Sequence, residues 1–190
     1  MTKREALIVK RTRGAKKGLR FNSTILTKKY YTFTEQAALS KVYEDKMLAY
    51  WRTLKEASAV SDLRELKKYR DMDIDFLYLR IHNDILKART IELKVDFRMA
   101  DTGNLFIEPE GWLSKTRAEV IAYLDAVRKL CYYIHTDKLR RYMDIHLDKL
   151  REKKVYTDDF GGYEVTGRLL PYTTMVTELI PYTEDLTAIL

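Results

Sequence analysis

The sequence predicts an α/β domain with a mixed central sheet flanked by helices. Three observations lead there. From residue 34 the apolar side chains recur at the three-or-four step of a helix. Two apolar runs, 75–80 and 85–96, flank the turn-like His82-Asn83-Asp84 and read as a β-hairpin. Helical and strand-like segments then alternate to the end of the chain, as they do where helices cover a sheet. A chain of 190 residues is long enough for one domain with a full core. Three prolines, no repeat and no low-complexity stretch leave no internal boundary. The expected division is a basic arm or ribbon over 1–33 and one domain over 34–190.

Each element has its own signal. Thr34 is a suitable N-cap, with acidic Glu35 in the first turn. Leu39, Tyr43, Met47, Tyr50, Leu54 and Ala57 then form one helical face, and Glu44, Leu48 and Trp51 the row beside it. The hairpin follows, then a loop 97–103 and a short strand 104–108 closed by Pro109 and Gly111. Residues 115–125 carry Ala118, Val120, Ile121, Ala122 and Leu124, apolar almost all round, and predict a buried helix. Leu130 to Ile134 reads as a core strand. Thr136 or Asp137 opens a last long helix with the stripe Leu139, Met143, His146, Leu150. Thr157 to Gly162 reads as a polar loop, and Arg168 to Ile180, rich in β-formers over Tyr172 to Thr177, as a final strand. The predicted order is α-β-β-β-α-β-α-β.

Charge is placed unevenly. Residues 1–20 hold eight bases (Lys3, Arg4, Lys10, Arg11, Arg13, Lys16, Lys17 and Arg20) against Glu5, a surplus equal to the whole net charge of +7. That asymmetry points to a polyanion held by an arm; a solubilising tail is the competing reading. Ala6 to Val9 is apolar, so an ordered ribbon and a disordered arm are weighed evenly. No run approaches the roughly 18 to 20 apolar residues that span a bilayer, and no signal-peptide pattern appears, so no membrane partner is expected. Cys131 is the single cysteine, which excludes an internal disulfide framework and a cysteine-based zinc site and suits a cytoplasmic setting. His82, His135 and His146 have no metal-ligand spacing. No Ser-His-Asp order, Gly-rich phosphate loop or dinucleotide fingerprint is visible. The 14 tyrosines offer surfaces for unpaired bases, but several fall in periodic apolar patterns that suit a core better.

Chemistry concentrates in the hairpin. Glu92, Lys94 and Asp96 stand two apart, so a strand presents all three on one face, while Ile91, Leu93 and Val95 pack on the other. A lysine between two carboxylates beside a core suits a metal-dependent phosphodiesterase; a cross-strand salt bridge on a solvated hairpin is the plainer alternative.

Asp75 in Asp73-Ile74-Asp75-Phe76, followed on the next strand by Glu92-Leu93-Lys94, resembles the PD-(D/E)XK nuclease superfamily. Thr102-Gly103-Asn104-Leu105-Phe106-Ile107-Glu108 and Gly111 to Ala118 are similar to segments of its phage-encoded members. The resemblance spans roughly residues 34 to 180 and is specific in its middle third. It implies a restriction-endonuclease-like core, DNA as substrate, and Mg²⁺ or Mn²⁺ held by Asp75, Glu92 and the Leu93 carbonyl. It implies Lys94 as the catalytic lysine and, for a phage protein, the host cytoplasm. Asp73 stands where the family has a small residue, so two aspartates compete as first ligand; Asp75 is preferred because it opens the apolar run. Glu44, Asp96 and Glu108 are secondary candidates, Glu44 because many members place a helix acid near the metal. Lys115 and Arg117, read as opening a helix, are candidates for phosphate contact beside the arm's Lys10, Arg11, Arg13, Lys16, Lys17 and Arg20. Members of this kind often act on two strands as homodimers. The alternative function is a DNA-binding or protein-interaction module that keeps the fold without cleavage.

Overall fold

A computed structural model describes residues 33–157 and 163–190. The basic arm, with Lys10, Arg11, Arg13, Lys16, Lys17 and Arg20, lies outside the described residues, as does most of the expected polar loop 157–162. The architecture is mixed α/β, with a six-stranded mixed sheet, a three-stranded antiparallel sheet and several helices.

The chain opens with helix α1 (Phe33–Thr53). It starts one residue before Thr34 and buries Leu39, Tyr43 and Met47 of the expected stripe together with Leu48 and Trp51 of the row beside it, while Tyr50 and Leu54 are only partly buried. Ala57, expected on that stripe, instead begins strand β1 (Ala57–Asp62). After a one-turn helix α2 (Lys67–Arg70) come β2 (Phe76–His82) and β3 (Ile85–Asp96). Their turn places both Asn83 and Asp84 at positive φ, 51° and 60°, the backbone of a two-residue hairpin loop that matches strand twist.

The connection from β3 back to its parallel neighbour holds α3 (Met99–Thr102), β4 (Asn104–Ile107) and α4 (Trp112–Lys115). Gly103 sits at φ 68° and ends α3 in a left-handed residue. Then come β5 (Val120–Asp125), β6 (Leu130–His135), α5 (Thr136–His146), a 3₁₀ turn over Leu147–Lys149, β7 (Arg151–Thr157) and β8 (Tyr163–Pro171). A short helix α6 (Tyr172–Thr174) runs into a π turn (Met175–Leu179), and β9 (Tyr182–Asp185) follows.

The main sheet has the order β1-β2-β3-β5-β6-β9, with only the β3–β5 pair parallel. The small sheet is β4-β8-β7. One face of the main sheet packs Phe76, Leu93, Ala122 and Leu124 against α1. The other packs Ile121, Tyr123, Tyr132 and Ile134 against α5, the small sheet and the π turn.

Three expectations are corrected. The buried helix over 115–125 is the strand β5. It lies between both cores, so both of its faces are apolar, and that pattern imitates a helix buried all round. Lys115 therefore closes the short α4, and Arg117 lies in the link to β5, so neither opens a helix. The strand expected over Arg168–Ile180 holds only to Pro171, where β8 ends; its β-rich part Tyr172–Thr177 is helical, and Met175 and Leu179, four apart, both insert into the second core. Ile180 at φ 45° then stops the turn. The long helix with Leu150 on its stripe ends earlier, at His146; Leu150 is buried but follows the 3₁₀ turn. Among the described residues no helix is long and apolar enough to cross a membrane.

Candidate active site

Strand alternation builds the site. Phe76 and Ile91 pair across β2 and β3 and face α1, so Asp75 and Glu92, one step along each chain, face the second core. Asp75 is fixed at both ends. Its amide donates to the Ile91 carbonyl at 2.9 Å, and its Oδ2 accepts the Leu93 amide at 2.8 Å. The β2–β3 ladder stops at Phe76, so a carboxylate takes over where a backbone partner would have been. The amide and carbonyl of one strand residue face the same neighbour, so the Leu93 carbonyl also points to this side.

Glu92 is 4% exposed. Its Oε1 is 2.5 Å from the Lys94 ammonium, and its Oε2 is buried with no hydrogen-bond partner among the described residues. Burial pushes the carboxyl up to about 8; Lys94 pulls it back and the charge of Asp75 adds to the rise. Asp75 is raised too, first by burial, against the opposing Leu93 amide and Lys94. Burial is the largest single influence on Lys94 and lowers it, but Glu92, Asp75 and Asp73 together outweigh burial and keep the ammonium charged. Lys94 also sits 5.1 Å from the centre of the Trp112 ring, whose face favours a cation.

Around this pair the structure distributes the remaining candidates. Asp73 has φ 46°, its carbonyl accepts the Thr116 hydroxyl at 2.7 Å, and its charge reaches Glu92 and Lys94. Glu108, half-buried behind Gly111, is raised by burial against the pull of Lys94 and Lys115. Glu44 reaches Asp75 electrostatically, but its own carboxylate is held at 2.9 Å by Arg64, which also grips Asp45 and Asp62. Asp96 shares the face of Lys94 but spends both oxygens locally. Oδ1 accepts the amides of Arg98 and Met99, and Oδ2 the Tyr123 hydroxyl at 2.6 Å. Asn104 and Thr102 bond to each other's backbone across Gly103 and close the turn. Lys115 and Arg117 are exposed.

Thus Asp75, Glu92 and Lys94 come together, with Asp73 and Glu108 at the margin; Asp96 does not join them. Trp112 is the contact that the spacing of charges could not indicate, because it arrives from the crossover and not from the hairpin. Among the described residues no group of three or more His, Cys, Asp or Glu side chains is gathered tightly enough to hold a metal. Two carboxylates and a backbone oxygen are nevertheless a donor set that Mg²⁺ accepts, with water and phosphate completing it. The unpartnered Oε2 of Glu92 is the free valence such an ion needs. Comparison of the chain with protein-family models, with curated proteins and with solved structures gives no match.

Proposed function

We propose that the chain is a Mg²⁺- or Mn²⁺-dependent deoxyribonuclease. The buried, unpartnered Glu92 Oε2 carries this reading: a carboxylate oxygen left without a donor in a packed site is a standing cost unless something binds there. Beside it are Asp75, the Leu93 carbonyl and a charged lysine, the oxygen donors and the cation that phosphodiester hydrolysis needs. The β2–β3 pairing is consistent with the same reading, since it sets Asp75 and Glu92 on neighbouring strands with Lys94 two residues on.

In this mechanism Asp75, Glu92 and Leu93 would hold the divalent ion, whose chemistry is to polarise the phosphate and acidify a water. Lys94 is fixed by Glu92 and Trp112 with its ammonium on the site side. From there it orients the attacking water and stabilises negative charge on the phosphoryl oxygens in the transition state. Water adds to phosphorus and gives up a proton to solvent, the bond to the leaving sugar oxygen breaks, and that oxygen takes a proton from solvent to leave as a hydroxyl. Trp112 and the apolar wall behind it keep the ammonium from wandering to bulk water.

The test is incubation with supercoiled, linear and branched DNA, with and without Mg²⁺ or Mn²⁺. Metal-dependent conversion to nicked, linear or degraded product is expected. DNA bound without cleavage under every metal condition would replace the nuclease by a non-cleaving binding module.

A further inference from the structure

Strands β1, β2 and the first half of β3 run past the rest of the main sheet, because β5 joins β3 only at Ile91. The two faces of this wing differ. Residues paired across strands share a face, so Tyr78 with Arg89, Arg80 with Lys87, and His82 with Ile85 lie on the α1 side. Leu79 with Ala88 and Ile81 with Leu86 lie on the other. Arg80 and Lys87 therefore stand directly opposite one another in an antiparallel ladder, where like charges destabilise the pairing.

Among the described residues nothing nearby relieves that repulsion. Among the described residues no carboxylate forms an ion pair with Arg80 or Lys87. Arg89, next along the face, is bound to Glu119. Glu56 adjoins Ala57, the register partner of Arg80, and reaches Tyr78 electrostatically, yet makes no ion pair with Arg80. The Nε of Arg80 is buried without a hydrogen-bond partner among the described residues. Nor is the pair a sample of general excess, since the surplus of positive charge lies in residues 1–20.

We propose that Arg80 and Lys87 form a clamp for the phosphate backbone of a nucleic acid. Their Cβ atoms are about 5 Å apart, as directly opposed residues are, and one phosphate between them converts a repulsive pair into two attractive contacts. Arginine offers a planar fork and lysine a compact charge, both suited to phosphate. The nuclease reading supplies only the identity of the polyanion. The clamp lies on the sheet face opposite Glu92 and Lys94, so binding is measured with no metal present and without touching the site.

The experiment uses the full chain and a short DNA duplex, with affinity read at several salt concentrations and the thermal midpoint read in parallel. Lys87→Glu turns the opposed pair into an attractive one. It is expected to raise the midpoint by roughly 1 to 3 °C. It is also expected to weaken binding roughly tenfold at moderate salt and to lower the log–log salt slope by about 0.9 for each phosphate no longer neutralised. Arg80→Gln, which also removes the repulsion, should raise the midpoint and lower the slope by about the same step. Lys153→Glu on β7 makes the same change in net charge on the other sheet and should lose distinctly less affinity. A stabilised Lys87→Glu with the wild-type slope would overturn the clamp and leave Lys87 as a guard of the free β3 edge. Equal losses in Lys87→Glu and Lys153→Glu would overturn it in favour of diffuse attraction. A destabilised Lys87→Glu would overturn it too, by removing the repulsion on which it rests. Wild-type protein that binds no DNA at low salt would overturn the nuclease reading as well, whereas metal-dependent cleavage with an unaffected Lys87→Glu would overturn the clamp alone.

Discussion

Replacing Glu92 by glutamine separates two accounts of the buried Glu92–Lys94 pair. Glutamine keeps the shape and an oxygen for Lys94 to donate to, but it never ionises. In the folded protein the Glu92 carboxyl is pushed up to about 8, whereas in the unfolded chain it returns to about 4.5. Between those values the folded state holds a proton that the unfolded state has released. Stability therefore falls as pH rises through this window, and is unaffected well below it. At pH 7 the gap of about 2.5 pH units corresponds to about 3 kcal/mol. Glu92→Gln should accordingly be more stable than wild type by up to about 3 kcal/mol at pH 7, with the gain shrinking towards zero near pH 4. The assay is urea unfolding at several pH values, with EDTA present so that no metal contributes. A pair that merely holds the fold together gives the opposite sign, because removing one partner of a buried ion pair costs about 3 to 5 kcal/mol. A variant less stable at every pH would refute the reasoning. On the proposed metal site, adding Mn²⁺ should then stabilise wild type and leave Glu92→Gln unmoved.

Lys94→Ala should fold normally and cleave at least about 100-fold more slowly, measured by initial rates on plasmid DNA; near-normal rates would remove the lysine from the chemistry. Asp75→Ala should lose metal-dependent cleavage and Mn²⁺ binding by calorimetry, while Asp73→Ala is milder; the reverse result would make Asp73 the ligand. Mn²⁺ affinity should rise with pH through neutrality, because the Glu92 carboxyl, pushed up to about 8 by burial, must release its proton to bind the ion; calorimetry in buffers of different ionisation enthalpy counts the protons released. Deleting residues 1–20 should flatten the salt dependence of DNA affinity by about 0.9 for each phosphate the arm neutralises, with circular dichroism as the folding check.

How much of the fold and the site is legible in the chain depends on where the information sits. The α1 stripe and the β2–β3 hairpin can be read because their signals are local: a three-or-four step in one, alternation around Asn83-Asp84 in the other. The gathering of Asp75, Glu92 and Lys94 follows from the same alternation. β5 reads as a helix because burial on both faces erases the alternation that marks a strand. β1 and β7 give little signal, being short or charged edge strands whose sequence states only that one side meets water. The grip of Arg64 on Glu44 and the stacking of Trp112 under Lys94 join residues about twenty apart, and no spacing rule reaches that far.

The crossover that brings Trp112 to Lys94 is held by a strand that leaves the main sheet altogether. Among the described residues β4 pairs with β8 alone, Asn104 to Ile107 against Arg168 to Pro171. Gly167 admits the Phe106 ring and the Ile107 carbonyl so closely that any Cβ there would collide with them. On the ribosome, then, a nascent chain that has emerged as far as residue 157 already carries Asp75, Glu92, Lys94 and Trp112, but not the strand that clamps their support. Assembly of the charged centre waits until β8 has been made, and a chain released before then carries these side chains without the scaffold that aims them.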